Sequence, residues 1–128
     1  MDAVSAFTQG EIDDPIYVEI PPGYANLITD IRLSLPLVPG ALACRLSKAL
    51  YGLKQSAMLW LKKIQATLKE LGFTPLNSDE CVYRNSESRI IIITYVDDFL
   101  IFGADIRAIQ QLKIRLQSVL RIEDLGHV

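Results

Sequence analysis

The chain has 128 residues, of which 50% are hydrophobic and 22% are charged. This balance excludes a disordered chain and permits one cooperative domain with a substantial core. The net charge of −2 and the pI of about 5.3 argue against nucleic-acid binding by general electrostatic attraction, because such domains usually have a pI above about 9.

No part of the sequence predicts export or a membrane anchor. The longest uninterrupted apolar run lies around residues 90–93, whereas a membrane-spanning helix needs about 20 apolar residues. The N-terminal residues lack the basic and apolar regions of a signal peptide, so we expect an intracellular protein without a membrane partner. Cys44 and Cys81 are isolated, which favours small reduced residues over a disulfide or a zinc site.

The N-terminal part of the chain predicts two strands and a long connection. Residues 3–7 are expected to form one strand, and residues 16–20 another, because β-branched and aromatic residues are frequent there. Residues 21–23, Pro-Pro-Gly, end the second strand. Residues 24–43 carry scattered leucines together with Pro36, Pro39 and Gly40. This composition predicts a connection with one helical turn or a short strand.

Two amphipathic helices are predicted from apolar residues that recur every three or four positions. The first spans residues 55–71, and Gly72 is expected to terminate it. The second follows Asp105, whose side chain suits an N-cap. The apolar stripes consist of Ala57, Leu61, Ile64, Leu68 and Leu71 in the first helix, and of Ile106, Ile109, Leu112, Leu116 and Leu120 in the second.

The segment between the two helices predicts antiparallel strands. Residues 81–83 indicate a strand and residues 85–88 a polar turn. Two apolar runs, residues 89–96 and 99–102, are separated by Asp97-Asp98, which predicts a hairpin with both carboxylates at its turn. The order of elements predicts an α+β fold in which two helices pack on one face of a small antiparallel sheet.

Asp97 and Asp98 are the first candidate site. Adjacent carboxylates between apolar strands are costly unless water or a cation surrounds them. A solvated turn explains them, and so does Mg²⁺, which takes one or two carboxylates together with waters and substrate phosphates. Asp2 is the candidate third carboxylate of a two-metal phosphoryl-transfer site, although a terminal residue is more often disordered. Solvated loops explain the other acidic candidates, which are Glu11, Asp13, Asp14, Asp79 and Glu80.

Several blocks in order along the chain resemble the reverse transcriptases of copia-type retrotransposons. Tyr95-Val96-Asp97-Asp98 resembles the catalytic hairpin of reverse transcriptases. Residues 1–7, with residues 9–11 and 16–24, are similar to the first catalytic segment of the copia-type enzymes. Residues 44–55, followed by Trp60, are similar to their most distinctive block. The remaining blocks are Leu71-Gly72-Phe73, residues 79–83 and Asp124-Leu125-Gly126.

The resemblance implies a polymerase palm over residues 1–128, with the fingers and thumb outside this segment. Asp2 and Asp97 would hold two Mg²⁺ ions, or Mn²⁺, with Asp98 beside them. The reaction implied is nucleotidyl transfer to a primer 3′-hydroxyl. Template–primer of RNA or DNA and deoxynucleoside triphosphates are the implied partners, and a cytoplasmic particle or the nucleus is the implied location.

Five further residues are implied to contact nucleotide or template. Phe7 would exclude a ribose 2′-hydroxyl, and a buried core aromatic is the alternative reading of this residue. Tyr51, Gly52, Lys54 and Gln55 would lie along the incoming nucleotide and the template, where glycine permits close backbone approach. A simple turn before the helix of residues 55–71 also explains these four residues.

The segment from Cys44 to Glu70 is locally basic in an acidic chain. A phosphate-facing surface and a solvated helix face both account for this charge. The segment departs from the family at Ala57 and Met58, where the family has Pro and Arg, and Met cannot replace the donors of Arg. Its basic residues are Arg45, Lys48, Lys54, Lys62, Lys63 and Lys69.

Because the fingers and thumb are expected outside these residues, we expect little or no polymerase activity from the isolated chain. The alternative is a non-enzymatic remnant of a transposable element, serving as a small partner-binding α+β module. Exposed strand edges are expected to drive self-association. An RNA-binding module of similar topology is a weaker alternative, since the strands lack the aromatic pattern used for base stacking.

Overall fold

The structure is a computed structural model that describes residues 1–21, 23 and 43–127. The chain divides into two compact units, one made of Met1–Glu11 and Ala49–Val128 and the other of Ile12–Lys48. The connection predicted over residues 24–43 lies almost entirely outside the described residues, as does the side chain of Cys44. Cys81 is a free, half-buried thiol. In the described part of the chain, no helix is long and apolar enough to cross a membrane.

The smaller unit contains a two-stranded antiparallel sheet. Strand β2 (Tyr17–Glu19) pairs with β3 (Ala43–Arg45), so that Tyr17 lies opposite Arg45. The pairing continues where the Leu46 N–H donates to the carbonyl of Ile16 over 2.8 Å. The strand predicted at residues 16–20 is therefore present over its central residues.

The larger unit is built on a six-stranded antiparallel sheet. Its strands are β1 (Asp2–Ala3), β4 (Thr74–Leu76), β5 (Asp79–Asn85), β6 (Ile90–Tyr95), β7 (Asp98–Phe102) and β8 (Ile122–Glu123). The order across the sheet is β4-β5-β6-β7-β1-β8. Consecutive hairpins form the first four positions, and the two ends of the chain supply β1 and β8. The N-terminal strand thus lies beside the hairpin that carries Asp97 and Asp98.

Two helices cover one face of this sheet, as predicted. They are α1 (Ser56–Glu70) and α2 (Ile106–Val119). Side chains alternate between the two faces of a strand, and those on the helix side form the core. The core residues include Trp60, Ile64 and Leu68 from α1, Ile109, Leu112 and Leu116 from α2, and Ala3, Tyr83, Ile92 and Phe99 from the sheet. The predicted α+β fold is confirmed.

The opposite face of the sheet is open. Ile91, Tyr95, Leu100 and Phe102 alternate with the core residues of β6 and β7, and their side chains are exposed. The two edge strands are short, since β8 has two residues and β4 has three. In addition, Pro75 of β4 cannot donate a ladder hydrogen bond. Short edges of this kind limit edge-to-edge pairing. The exposed side chains of the open face form a second apolar surface through which copies could associate.

The first helix is one residue shorter at each end than the predicted span of residues 55–71, and its buried stripe differs from the prediction. Ala57 is exposed, whereas Leu59 and Trp60 are buried. The first turns of α1 pack on the segment after β1 as well as on the sheet, and a Cβ at Gly10 would lie 3.2 Å from the Cβ of Leu59. This second contact widens the buried arc beyond the stripe predicted from period alone.

The residue that ends α1 and the residue that caps the start of α2 were predicted correctly. The N–H of Phe73 donates to the Leu68 carbonyl and the N–H of Gly72 to that of Lys69, which is a Schellman motif with Gly72 at φ +83°. At the start of α2, the Asp105 side chain accepts hydrogen bonds from the backbone of the second and third helical residues.

The strand predicted over residues 3–7 is wrong. Only Asp2–Ala3 is extended, Ser5 has φ +52°, and residues Ala6–Gln9 form a 3₁₀ helix. The buried Gln9 side chain stabilises this bend, because its Nε2 donates to the carbonyls of Val4 (3.0 Å) and Arg121 (2.9 Å), and its Oε1 accepts the Arg121 N–H over 2.9 Å. The strand is therefore cut short by a tertiary contact with the C-terminal segment. Strands β3, β4 and β8 were not predicted.

Candidate catalytic carboxylates

A tight hairpin turn presents the acidic pair. Tyr95 pairs directly with Asp98, so the loop between β6 and β7 consists of Val96 and Asp97. The turn lies one residue earlier than predicted, and Asp98 belongs to β7. Val96 has φ +53°, a left-handed conformation that is unfavourable for a β-branched residue. The Trp60 Nε1 donates a hydrogen bond to the Val96 carbonyl over 2.7 Å.

Strand β1 brings Asp2 next to Asp98. Met1 and Phe99 exchange backbone hydrogen bonds of 2.8 Å in both directions, and the Ala3 N–H donates to the Asp97 carbonyl over 2.8 Å. Asp2 and Asp98 lie opposite each other between these bonds and form a non-hydrogen-bonded pair. In such a pair the side chains share one face and lie closest together. The structure therefore joins the carboxylate expected at the N-terminus to the predicted hairpin.

The environment of Asp97 disfavours its negative charge. Desolvation raises the pKa of the Asp97 carboxyl above its usual range, and the neighbouring charges of Asp2 and Asp98 raise this pKa further. Its Oδ1 atom is buried and accepts no hydrogen bond from the described residues. A bound cation would stabilise the charged form of this carboxylate, because it would offset the repulsion by Asp2 and Asp98 and replace the missing hydrogen bond.

Glu123 is an acidic neighbour that the sequence did not indicate. It lies opposite Asp2 on the other side of β1, so carboxylates from β7, β1 and β8 form a row on the open face. Because β8 was not predicted, no sequence signal placed Glu123 there. Its register adjacent to Asp2 increases the negative charge density beside the turn.

The acidic side chains do not form a closed metal cage. Among the described residues, no group of three or more His, Cys, Asp or Glu side chains is arranged to hold a metal ion. Mg²⁺ usually keeps several waters and binds one or two carboxylates plus substrate phosphates. The orphaned Asp97 oxygen and the adjacent carboxylates of Asp2 and Asp98 suit this open type of coordination.

Phe7 and Tyr51, two of the predicted nucleotide-binding residues, lie in contact. Their ring centroids are 4.6 Å apart with an interplanar angle of 46°. Phe7 is half-buried on the 3₁₀ helix Ala6–Gln9, and Tyr51 is exposed. Gly52 follows in a turn with φ +94°, a conformation that glycine adopts without strain.

Lys54 and Gln55 lie in the segment leading into α1. Both are exposed, and the Gln55 carbonyl accepts the first helical hydrogen bond from Leu59 over 2.9 Å. The Gln55 side chain makes no capping hydrogen bond. Met58, where the family has Arg, points to solvent with 62% of its surface exposed. The lysines of α1 are exposed or half-buried, which fits both interpretations of the basic segment.

The Asp124-Leu125-Gly126 block has a structural role in this chain. Lys113 is buried on α2, and its Nζ lies 2.7 Å from Asp124 Oδ1. The Lys113 hydrogen bond, together with the Gly126 N–H, holds the pKa of the Asp124 carboxyl below its usual value. The ion pair fixes the C-terminal segment, and with it β8, against α2.

The larger unit is thus an α+β domain that presents carboxylates from adjacent strands beside a strained hairpin turn. Residues 1–128 match the family described as reverse transcriptase (RNA-dependent DNA polymerase). The chain belongs to this family, and its resemblance to the copia-type branch is confirmed by its relatives. The family comprises nucleotidyltransferases that generally use divalent metal, and it implies binding of nucleic-acid template and nucleotide.

The relatives are retrotransposon proteins. A retrovirus-related Pol polyprotein from transposon TNT 1-94 of Nicotiana tabacum is 37% identical over 98% of this chain. A putative transposon Ty5-1 protein of Saccharomyces cerevisiae is 32% identical over 100% of the chain, and the Gag-Pol polyprotein of transposon Ty1-GR3 of that yeast is 30% identical over 98%. The chain spans 9%, 39% and 6% of these relatives, respectively. No solved structure matches the chain.

The reverse transcriptase family and its transposable-element origin are confirmed. Nothing in the matches favours the alternative of a non-enzymatic partner-binding module.

Proposed function

We propose that residues 1–128 form the palm of a copia-type RNA-directed DNA polymerase, in which Asp2, Asp97 and Asp98 bind two Mg²⁺ ions. The observation that carries the proposal is the register of Asp2 opposite Asp98, directly beside the orphaned Asp97 oxygen. This arrangement brings the N-terminal Asp2 to the hairpin turn of Asp97 and Asp98, which lies more than 90 residues further along the chain. Such an arrangement is electrostatically unfavourable without a cation.

Bound Mg²⁺ would supply activation of the primer 3′-hydroxyl and neutralisation of the charge on the leaving pyrophosphate. The carboxylates of Asp2 and Asp97 would supply the oxygen ligands, with Asp98 beside them on the open face. In the reaction, the primer 3′-hydroxyl would lose its proton to water and its oxygen would form a bond to the α-phosphorus of the deoxynucleotide, while the bond from that phosphorus to the pyrophosphate breaks and pyrophosphate leaves with the electron pair.

The aromatic pair and the segment after it would position the nucleotide and the template. Phe7 lies on the 3₁₀ helix that follows β1, four residues after Ala3, and its ring would meet a bound sugar beside Asp2 and disfavour a ribose 2′-hydroxyl. Tyr51 supports that ring through the 4.6 Å contact. Gly52, Lys54 and Gln55 would lie along the nucleotide and template. A retrotransposon polymerase with these substrates acts in a cytoplasmic particle or the nucleus.

Titration with Mn²⁺ followed by electron paramagnetic resonance tests the metal site. We expect wild-type chain to bind Mn²⁺, Mg²⁺ to compete, and Asp97→Asn to weaken binding by at least about tenfold. Glu87→Gln is the matched control, because it removes one exposed carboxylate in the turn after β5. Equal binding by Asp97→Asn and wild type would refute the assignment.

Primer extension provides the second assay. We predict little or no synthesis by the isolated chain with Mg²⁺ or Mn²⁺. Any synthesis that does occur should be lost in Asp97→Asn and kept in Glu87→Gln. Robust synthesis with this pattern would contradict the predicted inactivity while supporting the site, and synthesis unaffected by Asp97→Asn would contradict the site.

A further inference from the structure

We infer that Trp60 is a positioning residue for the Asp97 carboxylate, acting through the hydrogen bond from its indole Nε1 to the Val96 carbonyl. The inference rests on the proposed function, since the position of Asp97 matters for catalysis only if its carboxylate binds metal. Trp60 is the single tryptophan of the chain, and it is 2% exposed.

The turn that carries Asp97 does not adopt its conformation by local preference. Val96 has φ +53°, and two-residue hairpin loops with positive φ normally use Gly, Asn or Asp at such a position. A β-branched residue disfavours this conformation, which persists only where the surrounding structure enforces it. The Val96 side chain is 52% exposed and thus provides little packing of its own.

Two hydrogen bonds from outside the hairpin hold the loop. The Trp60 indole donates to the Val96 carbonyl over 2.7 Å, and the Ala3 N–H donates to the Asp97 carbonyl over 2.8 Å. The hydrogen bond from α1 fixes the peptide group that carries the Val96 carbonyl. The hydrogen bond from β1 fixes the next peptide group, which carries the Asp97 carbonyl. The direction of the Asp97 side chain follows from the orientation of these two groups.

Of these two hydrogen bonds, the one from the Trp60 indole is the one that a side-chain substitution can remove. The bond from Ala3 belongs to the sheet ladder, whereas Trp60 borders a cavity of about 150 Å³ that is also lined by Phe7, Thr94 and Val96. A smaller ring without the N–H would have room to move there. Loss of the bond would therefore free the Val96 peptide to relax toward an ordinary conformation and turn the Asp97 carboxylate away.

Trp60→Phe is the test substitution, because it removes the N–H donor while keeping an aromatic ring in the core. Supporting groups behind metal ligands typically change metal affinity by 10- to 100-fold, so we expect Mn²⁺ affinity to fall about tenfold. Ile109→Val is the matched control, because it creates a small packing defect in the core on α2. It should lower the melting temperature without changing the affinity for Mn²⁺.

Val96→Gly in the Trp60→Phe background separates positioning from packing. Glycine adopts φ +53° without strain, so this second change should restore part of the lost Mn²⁺ affinity while leaving the core defect in place. If Trp60 acted only through core packing, the added glycine would not restore any affinity. That result would overturn the inference.

A backbone readout that needs no metal completes the design. In a ¹⁵N NMR spectrum the single indole N–H should exchange slowly with solvent in wild type, and Trp60→Phe should shift the amide signals of Val96 and Asp97. Fast exchange of the indole proton, or unchanged amide signals in the variant, would refute the hydrogen bond's role.

The two proposals fail in different ways. If wild type does not bind Mn²⁺ through Asp97, the proposed function fails and the inference fails with it. If wild type binds Mn²⁺ through Asp97 and Trp60→Phe binds equally well, only the inference fails.

Discussion

Asp98→Asn is expected to stabilise the folded chain at the expense of cation binding. Asp98 lies directly opposite Asp2 in a non-hydrogen-bonded pair, where Cβ atoms are about 4.5–5.5 Å apart. Two unit charges at about 5 Å repel by about 0.8 kcal/mol in water and by about 3 kcal/mol at an effective dielectric constant of about 20. Because Asp98 is exposed and Asp2 is half-buried, solvent screening favours the lower value. Relief of about 0.5–1 kcal/mol is therefore expected.

Thermal unfolding followed by circular dichroism measures this gain. For a domain of this size, 1 kcal/mol corresponds to roughly 4 °C, so the melting temperature of Asp98→Asn should rise by about 2–4 °C at pH 7 and low salt. The difference should shrink in about 1 M NaCl, which screens exposed charges. Millimolar Mg²⁺ should raise the melting temperature of wild type more than that of the variant, because ligand binding stabilises the folded state.

Glu87→Gln controls for the change in net charge. Glu87 is an exposed residue of the turn after β5, and surface substitutions of this kind change stability by no more than about 0.5 kcal/mol. An equal gain in Glu87→Gln would show that net charge, and not the paired carboxylates, is responsible. A lower melting temperature for Asp98→Asn would refute the reasoning about the pair.

Three further predictions concern pH, a helix terminus and the open face. The raised pKa of Asp97 means that the folded state binds its proton more tightly than the unfolded state, so stability falls as pH rises above the ordinary value of 3.8. Urea unfolding should therefore find Asp97→Asn more stable than wild type at pH 7 and equal to it near pH 3; a constant difference would contradict this. Gly72→Ala should lower the free energy of unfolding by at least about 1 kcal/mol, because φ is +83° and the new Cβ would lie 3.1 Å from Asn85 Nδ2; unchanged stability would contradict the Schellman assignment. Self-association measured by sedimentation should decrease in Leu100→Glu on the open face, and it should decrease less in Ile114→Glu, an exposed position on α2. Equal effects of the two substitutions would point away from the open face.

Local sequence predicted those parts of the fold that local physics controls. The two helices were predicted from the 3.6-residue period of their apolar residues. The start of α2 was predicted from the Asp105 side chain and the end of α1 from the backbone freedom of Gly72, and both effects act within one helical turn. The β6–β7 hairpin follows from two apolar runs with an acidic break, although its loop lies one residue earlier than predicted. The resemblance of several ordered blocks predicted the family, because motif order survives where whole-chain identity is low.

The sequence by itself therefore determined the α+β class, the helices, the hairpin and the acidic residues of the candidate site. Only the tertiary structure decided that β1 lies between β7 and β8, which places Asp2 opposite Asp98 and adds Glu123 to the row. It also decided that Trp60 reaches the Val96 carbonyl. These contacts join segments far apart in the chain, and the period of apolar residues within one segment carries no information about which distant segment will pair with it.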